Sequence, residues 1–254
     1  MSLTPHTDQE CPVSRRDTSR APGSRPPLPT YQLVGTLAVV GNDDERQIDA
    51  VVLDWGGVLT VSVPRFVEDW LRTENIDRDR YGVTIRGWMG RDALPDNPVA
   101  RLETGALPVA EFERLLAAEL VTVDGGEIAA QGLLRRMFGT AVTDPEMVEL
   151  VREVRASGVR TVLLSNSWGE GYPEDLLPEL FDTLVISGRV GLRKPDPAIF
   201  THTLDLLDLP ADRCVFFDDM QVNVDGAKAV GLHAFLHTDA DSTRAALAGL
   251  GVKP

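Results

Sequence analysis

Ala50-Val-Val-Leu-Asp-Trp-Gly-Gly-Val-Leu-Thr60 decides how this 254-residue chain is read. Four apolar residues without polar alternation lead into a carboxylate and two glycines, the pattern of a strand buried on both faces with a polar turn at its carboxyl end. The same pattern recurs in Thr161-Val-Leu-Leu164, Thr183-Leu-Val-Ile186, Cys214-Val-Phe-Phe217 and Ala234-Phe-Leu236. Strands of that kind belong to parallel sheets. Between them lie helical periods. Thr143-Asp-Pro-Glu146 reads as a capping box, followed by Met147, Leu150, Val151 and Val154 on one face and stopped by Gly158. Further helices are expected near 173–180, 196–207, 221–230 and 241–248. Strand alternating with helix predicts an α/β fold with a doubly wound parallel sheet, whose site lies beyond the carboxyl ends of the strands.

One connection departs from the pattern. About 80 residues separate the first strand from the capped helix, where α/β connections usually run ~2 to 6 residues. Phe66, Trp70 and Leu71, then Val109, Phe112, Leu115, Leu116 and Leu120, give this stretch helical signals of its own. It is expected to form a helical cap over 62–142, inserted into a core made of 47–61 and 143–254. Residues 1–46 are expected to be a disordered tail: six of the seventeen prolines fall in the first thirty positions, among scattered Ser, Thr and Arg. Tyr31–Val40 is more apolar and could add an edge strand.

Composition narrows the function classes. The net charge of −14 has the wrong sign for nucleic acid as a bulk partner. No run approaches the ~18 apolar residues of a membrane span, so a soluble protein without a membrane partner is expected. Cys11 and Cys214 suggest neither a disulfide framework nor a zinc site, which fits a cytoplasmic location. His202, His233 and His237 lack metal-ligand spacing.

Four strand-end positions carry chemistry. Asp54 puts a carboxylate at the end of the first run, although an Asp before a glycine turn also reads as a turn or cap residue. Ser165-Asn166 offers a hydroxyl and an amide to an anion, with a helix cap as the plain alternative. Gly191-Leu-Arg-Lys-Pro-Asp-Pro197 mounts Lys194 on a rigid turn before a helix. The fourth run ends in the adjacent carboxylates Asp218-Asp219, whose mutual repulsion near a dry sheet is most simply relieved by a divalent cation, with solvation of both at the surface as the plain alternative. Together these residues form a set suited to phosphoryl transfer.

In order and spacing the four motifs resemble the haloacid dehalogenase-like superfamily over about 48–240. Ser-Asn-Ser-Trp168, Gly-Leu-Arg-Lys-Pro-Asp-Pro197, Phe-Phe-Asp-Asp-Met-Gln-Val-Asn-Val224 and the cap segment Arg101–Phe112 are most similar to the amino-terminal phosphatase domain of soluble epoxide hydrolases. The sequence reaches Pro254 without the epoxide-opening domain of those proteins, so epoxide hydrolysis is not expected.

The resemblance implies a Mg²⁺-dependent phosphatase acting on a small phosphorylated metabolite, as monomer or homodimer. Asp54 would attack phosphorus and form an aspartyl-phosphate, while Ser165, Asn166 and Lys194 would hold the phosphoryl oxygens. Asp54, the carbonyl of Gly56, Asp218 and Asp219 would surround the metal, with Asn223 orienting the acidic pair. One position departs from the family. Where its phosphatases usually carry a second Asp, two residues after the nucleophile, this chain has Gly56, as some similar phosphatases of the family do, so the usual general acid is missing. Glu68, Asp69, Asp92, Asp96 and Glu103 are candidate replacements in the cap. The gap also motivates two alternatives: a 2-haloacid dehalogenase, whose halide leaving group needs no acid, or a catalytically weak metal- and phosphate-binding regulatory protein. Trp55 and Trp168 are candidate pocket walls.

Overall fold

The computed structural model describes residues 47–253 apart from 91, 92 and 170. The expectations for the amino-terminal tail and for a strand over 31–40 lie outside the described residues. The elements are β1 (Ala50–Leu53), α1 (Val63–Thr73), α2 (Arg78–Met89), α3 (Pro98–Glu103), α4 (Val109–Glu119), α5 (Leu133–Phe138), α6 (Pro145–Ala156), β2 (Arg160–Ser165), α7 (Leu177–Leu180), β3 (Thr183–Ile186), α8 (Ser187–Val190), α9 (Pro197–Leu207), β4 (Cys214–Asp218), α10 (Gln221–Val230), β5 (His233–Leu236) and α11 (Ala240–Gly249).

The five strands form one parallel sheet in the order β3-β2-β1-β4-β5. The chain starts in the middle, winds to one side through β2 and β3, then returns to the other through β4 and β5. The register pairs Leu53 with both Leu163 and Phe217, so the residues that follow on β1, β2 and β4 emerge together at one edge. This reversal of winding direction leaves a crevice beside β1.

Alternation across the pleat explains the unbroken apolar runs. Val51 and Leu53, with Val215 and Phe217, pack on one face against Met147, Leu150 and Val151 of α6 and Leu247 of α11. Ala50 and Val52, with Cys214 and Phe216, pack on the other against Ile199 and Phe200 of α9 and Val224 of α10. Each such buried Val, Leu or Phe contributes roughly 1.5–3 kcal/mol, so both faces of the central strands must be apolar.

Two local expectations need correction. β5 is not buried on both faces: Phe235 and Leu236 are exposed, because the strand forms the sheet's edge and is not covered there. The cap of α6 is Asp144 rather than Thr143. The Asp144 carboxylate accepts from the backbone of Glu146 and Met147, and Pro145 occupies the first turn, where its missing N–H matters least. Thr143 instead bridges to Thr60.

The helices α1 to α5, between β1 and α6, close around a third apolar cluster that includes Phe66, Trp70, Phe112, Leu116, Leu133 and Met137. Gly105, just after α3, has a φ of +72°, and a Cβ there would lie 2.6 Å from the Gly188 carbonyl oxygen on α8. Only glycine lets the insert and the core approach this closely. Among the described residues no helix is long and apolar enough to cross a membrane.

Candidate active site

The ends of β1, β2 and β4 bring Asp54, Ser165, Asp218 and Asp219 to the crevice beside β1, and Lys194 reaches it not from a strand end, as expected, but from the loop between α8 and α9. Asp54 follows β1 directly and its backbone N–H donates to Phe217 O at 3.0 Å. The next turn is sterically tight. Gly57 has a φ of +76°, and a Cβ there would collide with the Asp219 carboxylate. Gly56 is different: a Cβ there would meet only Val63 Cγ2, at 3.6 Å, so the position has room for a side chain.

Lys194 sits at the centre rather than at the surface. Its side chain is fully buried, and Nζ lies 2.6 Å from Asp218 Oδ2, 2.8 Å from Asp54 Oδ1 and 2.8 Å from Leu164 O. All three ammonium protons therefore have acceptors, and the lysine fixes both carboxylates in place. Burial alone would lower its pKa, but Asp218 and Asp54 outweigh that and hold the ammonium above its ordinary value.

Asp218 also accepts from the Met220 backbone at 2.8 Å and from Asn223 Nδ2 at 2.9 and 3.1 Å, which places Asn223 where it orients this carboxylate. Burial pushes the Asp54 carboxyl up to about 7, with Lys194 opposing and Asp218 and Asp219 adding to the rise. Burial, then Asp218, raises Asp219 to about 6.

Ser165 closes β2, and its Oγ accepts from Tyr172 Oη at 2.9 Å, which leaves the serine proton to donate elsewhere. Asn166 is arranged otherwise than expected of a side-chain phosphate ligand. Its Oδ1 accepts from Lys194 N at 2.9 Å and its Nδ2 donates to Lys194 O at 3.0 Å, tying the β2 loop to the lysine loop.

Glu103, at the end of α3, is almost wholly buried and supports the same loops from above. It pairs with Arg193 at 2.6 Å, accepts from Trp168 Nε1 at 2.8 Å and lies 3.3 Å from Asn166 Nδ2. These contacts make it a strut between the insert and the core. Of the other expected acid donors, Glu68 pairs with Arg78 and Asp69 with Arg72 on exposed faces, Asp96 is exposed, and Asp92 lies outside the described residues.

A divalent cation fits this cluster. Asp54, Asp218 and Asp219 each offer an oxygen within 4.8 Å of the others. Three carboxylates against one ammonium leave an excess of two negative charges in a buried place, and the neighbouring carboxylates add to the rise that burial gives Asp54 and Asp219. Hard oxygen donors of this kind suit Mg²⁺. Asp219 is the least committed of the three, with only its own backbone hydrogen-bonding to the carboxylate among the described residues.

Above the cluster opens a cavity of 420 Å³ whose floor includes Asp54, Ser165, Asn166 and Asp219. Its walls are mostly apolar, with Val63, Phe66 and Val67 from α1, Ile85 and Met89 from α2, Met137 and Phe138 from α5, and Trp55 and Trp168 from the core loops, while Tyr81, Glu103 and Tyr172 add polar atoms. Both tryptophans are thus wall residues, as expected. Tyr172 and the bracing role of Glu103 were not foreseen, since neither follows a motif or a spacing.

The haloacid dehalogenase-like hydrolase family model matches residues 48–231. Phosphatase MT3486 of Mycobacterium tuberculosis is 30% identical over 210 residues, which cover 78% of this chain and 90% of that protein. Bifunctional epoxide hydrolase 2 of Sus scrofa is 26% identical over 211 residues, covering 76% of this chain but 37% of that protein. Among solved structures, a HAD-like family hydrolase of Porphyromonas gingivalis superposes with a TM-score of 0.60 at 22% identity, covering 82% of this chain and 100% of that one.

Proposed function

Because the chain belongs to the haloacid dehalogenase-like hydrolases, we propose that it is a Mg²⁺-dependent phosphatase for a small phosphate monoester whose organic part is apolar. The observation that carries this reading is the Asp54–Lys194–Asp218–Asp219 cluster at the floor of an apolar cavity. A volume of 420 Å³ lies within the ~300–1,000 Å³ of ordinary small-molecule sites. A phosphate group at the floor and a hydrocarbon or aromatic portion against Phe66, Phe138 and Trp168 would use both parts of the cavity. The name of MT3486 supports the reaction class. The match to epoxide hydrolase 2 supports placing the chain near the phosphatase domain of soluble epoxide hydrolases.

In this mechanism Asp54 attacks phosphorus with the oxygen that Lys194 does not hold, giving an aspartyl-phosphate that water then hydrolyses. Lys194 favours the ionised form of Asp54 against the effect of burial, aims it, and keeps Asp218 in place. Ser165 donates its free proton to a phosphoryl oxygen, and Asn166 contributes through its backbone while its side chain holds the lysine loop. Attack on a phosphate dianion meets like-charge repulsion of ~4 kcal/mol at ~4 Å for an effective dielectric of ~20. Bound Mg²⁺ supplies the positive charge that offsets this repulsion. Asp54, Asp219 and the Gly56 carbonyl would hold the ion directly, with Asp218 behind them. Residues 62–142 act as the cap that selects the organic group.

The test is phosphate release from p-nitrophenyl phosphate, a medium-chain alkyl phosphate and a sugar phosphate, with Mg²⁺ and with EDTA. Metal-dependent release, abolished by Asp54→Asn and with kcat/KM highest for the apolar esters, is expected. A folded protein that releases no phosphate, or that prefers the sugar phosphate, contradicts the reading. Release of chloride from chloroacetate in place of phosphate would favour a dehalogenase, the reading that Gly56 alone suggests.

A further inference from the structure

Gly56 leaves the leaving group without the acid that a side chain two residues after the nucleophile would supply. The alkoxide of an alkyl ester is a poor leaving group, and protonating it is typically worth ~10²- to 10⁴-fold in rate. Some other proton must be within reach of the phosphoryl site. Three described carboxylic acids of the insert do not meet this need: Glu68 and Asp69 are exposed and paired, and Glu103 is held by Arg193 and Trp168. Tyr81, on α2, packs edge-on against Trp70 and has no hydrogen bond to a floor residue among the described residues.

Tyr172 is placed differently. It lies in the loop after β2, its ring edge-on to Trp55 at 5.7 Å between centroids, so it is braced against the residue that follows the nucleophile. Its hydroxyl donates to Ser165 Oγ at 2.9 Å, one hydrogen bond from the atom proposed to touch the phosphoryl group. It lines the main cavity together with Asp54 and Gly56. It also lines the neighbouring cavity, bounded by Trp55, Gly56 and Thr60. Tyr172 and Gly56 thus line the same two cavities.

We propose that Tyr172 is a catalytic residue, the proton donor to the leaving oxygen in place of the absent acid at Gly56. The assignment rests on the phosphatase reading above. As the Asp54–phosphorus bond forms and the phosphorus–oxygen bond of the ester breaks, the Tyr172 hydroxyl turns from Ser165 Oγ and its proton passes to the departing oxygen, which leaves as the alcohol. The resulting phenolate then takes a proton from the water that attacks the aspartyl-phosphate. Phosphate departs, the Asp54 carboxylate is regenerated and Tyr172 is a phenol again. Burial raises the Tyr172 pKa, so the group enters the cycle protonated.

A general acid matters in proportion to the basicity of the leaving group, whereas a group that only orients Ser165 affects all esters alike. The test compares wild type and Tyr172→Phe on p-nitrophenyl phosphate and on an alkyl phosphate, with circular dichroism checking the fold. The expected loss is ~100-fold or more on the alkyl ester and under ~5-fold on the nitrophenyl ester. Equal losses on both esters, or no loss on either, overturn the proposal while leaving the phosphatase reading intact. A wild type that releases no phosphate from any ester overturns both.

The space at residue 56 permits a second variant, Gly56→Asp, which supplies a carboxylic acid at the vacant position. In that background Tyr172→Phe is expected to lower the alkyl-ester rate by under ~10-fold. A loss as large as in the glycine background overturns the assignment.

Discussion

Glu103→Ala removes one side chain that braces three others. The carboxylate is 4% exposed, pairs with an Arg193 side chain that is 31% exposed, and accepts from Trp168 and Asn166. Hydrogen bonds to a charged partner are worth ~1.5–3 kcal/mol, and breaking a fully buried ion pair costs ~3–5 kcal/mol. Arg193 can take up water once its partner is gone, so the upper range is not reached, whereas Trp168 Nε1 loses its acceptor. The expected destabilisation is ~2–3 kcal/mol. For a domain of this size that is a fall in Tm of ~4–12 °C, at ~2–4 °C per kcal/mol. Urea unfolding followed by tryptophan fluorescence should show a lower midpoint with an unchanged slope. A change within ~0.5 kcal/mol, the size of an ordinary surface substitution, would refute the strut.

Three further outcomes follow from the same contacts. Mg²⁺ should raise the Tm of the wild type, by ~2.7 kcal/mol of stability at ~100 times its dissociation constant, and Asp219→Asn should remove most of that gain; equal gains in both would place the ion elsewhere. Gly57→Ala forces a left-handed backbone onto alanine and drives its Cβ into Asp219, so it should weaken Mg²⁺ binding at least ~10-fold by calorimetry, whereas Gly56→Ala, with open space, should leave binding within ~3-fold. Cys214 is fully buried in β4 and burial pushes its thiol up to about 11, so in a Cys11→Ser protein iodoacetamide should label it only after unfolding; prompt labelling of the native protein would contradict its position in the core.

The central strands were readable in the sequence because the stretches Ala50–Leu53, Val162–Leu164 and Cys214–Phe217 are buried on both faces and apolar throughout. Asp54, Ser165 and Asp218 stood out as the polar residues that end such runs. β5 shows where that reasoning stops: its run is apolar too, but its place at the edge is a property of strand order, which no single run encodes. The cap of α6 moved by one residue because Thr143 and Asp144 can both cap, and the choice falls to the one preceding Pro145.

Lys194 was found from its rigid turn, yet its burial between two carboxylates depends on β1 and β4 lying side by side. The least legible residues were Glu103 and Tyr172. Glu103 meets partners 63, 65 and 90 positions away, and in an acidic insert nothing local separates it from Glu68 or Asp69. Tyr172 lies only seven residues from Ser165, but in a glycine-containing loop without a period to set its direction.

Covalent phosphorylation of Asp54 is the step on which the phosphatase mechanism stands. Acid-quenching the protein during turnover of p-nitrophenyl phosphate with Mg²⁺, then digesting it for mass spectrometry, tests this directly. The account predicts a phosphoryl group on the peptide bearing Asp54, absent with EDTA and absent in Asp54→Asn. Sustained phosphate release with that peptide unmodified, or release that survives Asp54→Asn, would contradict it.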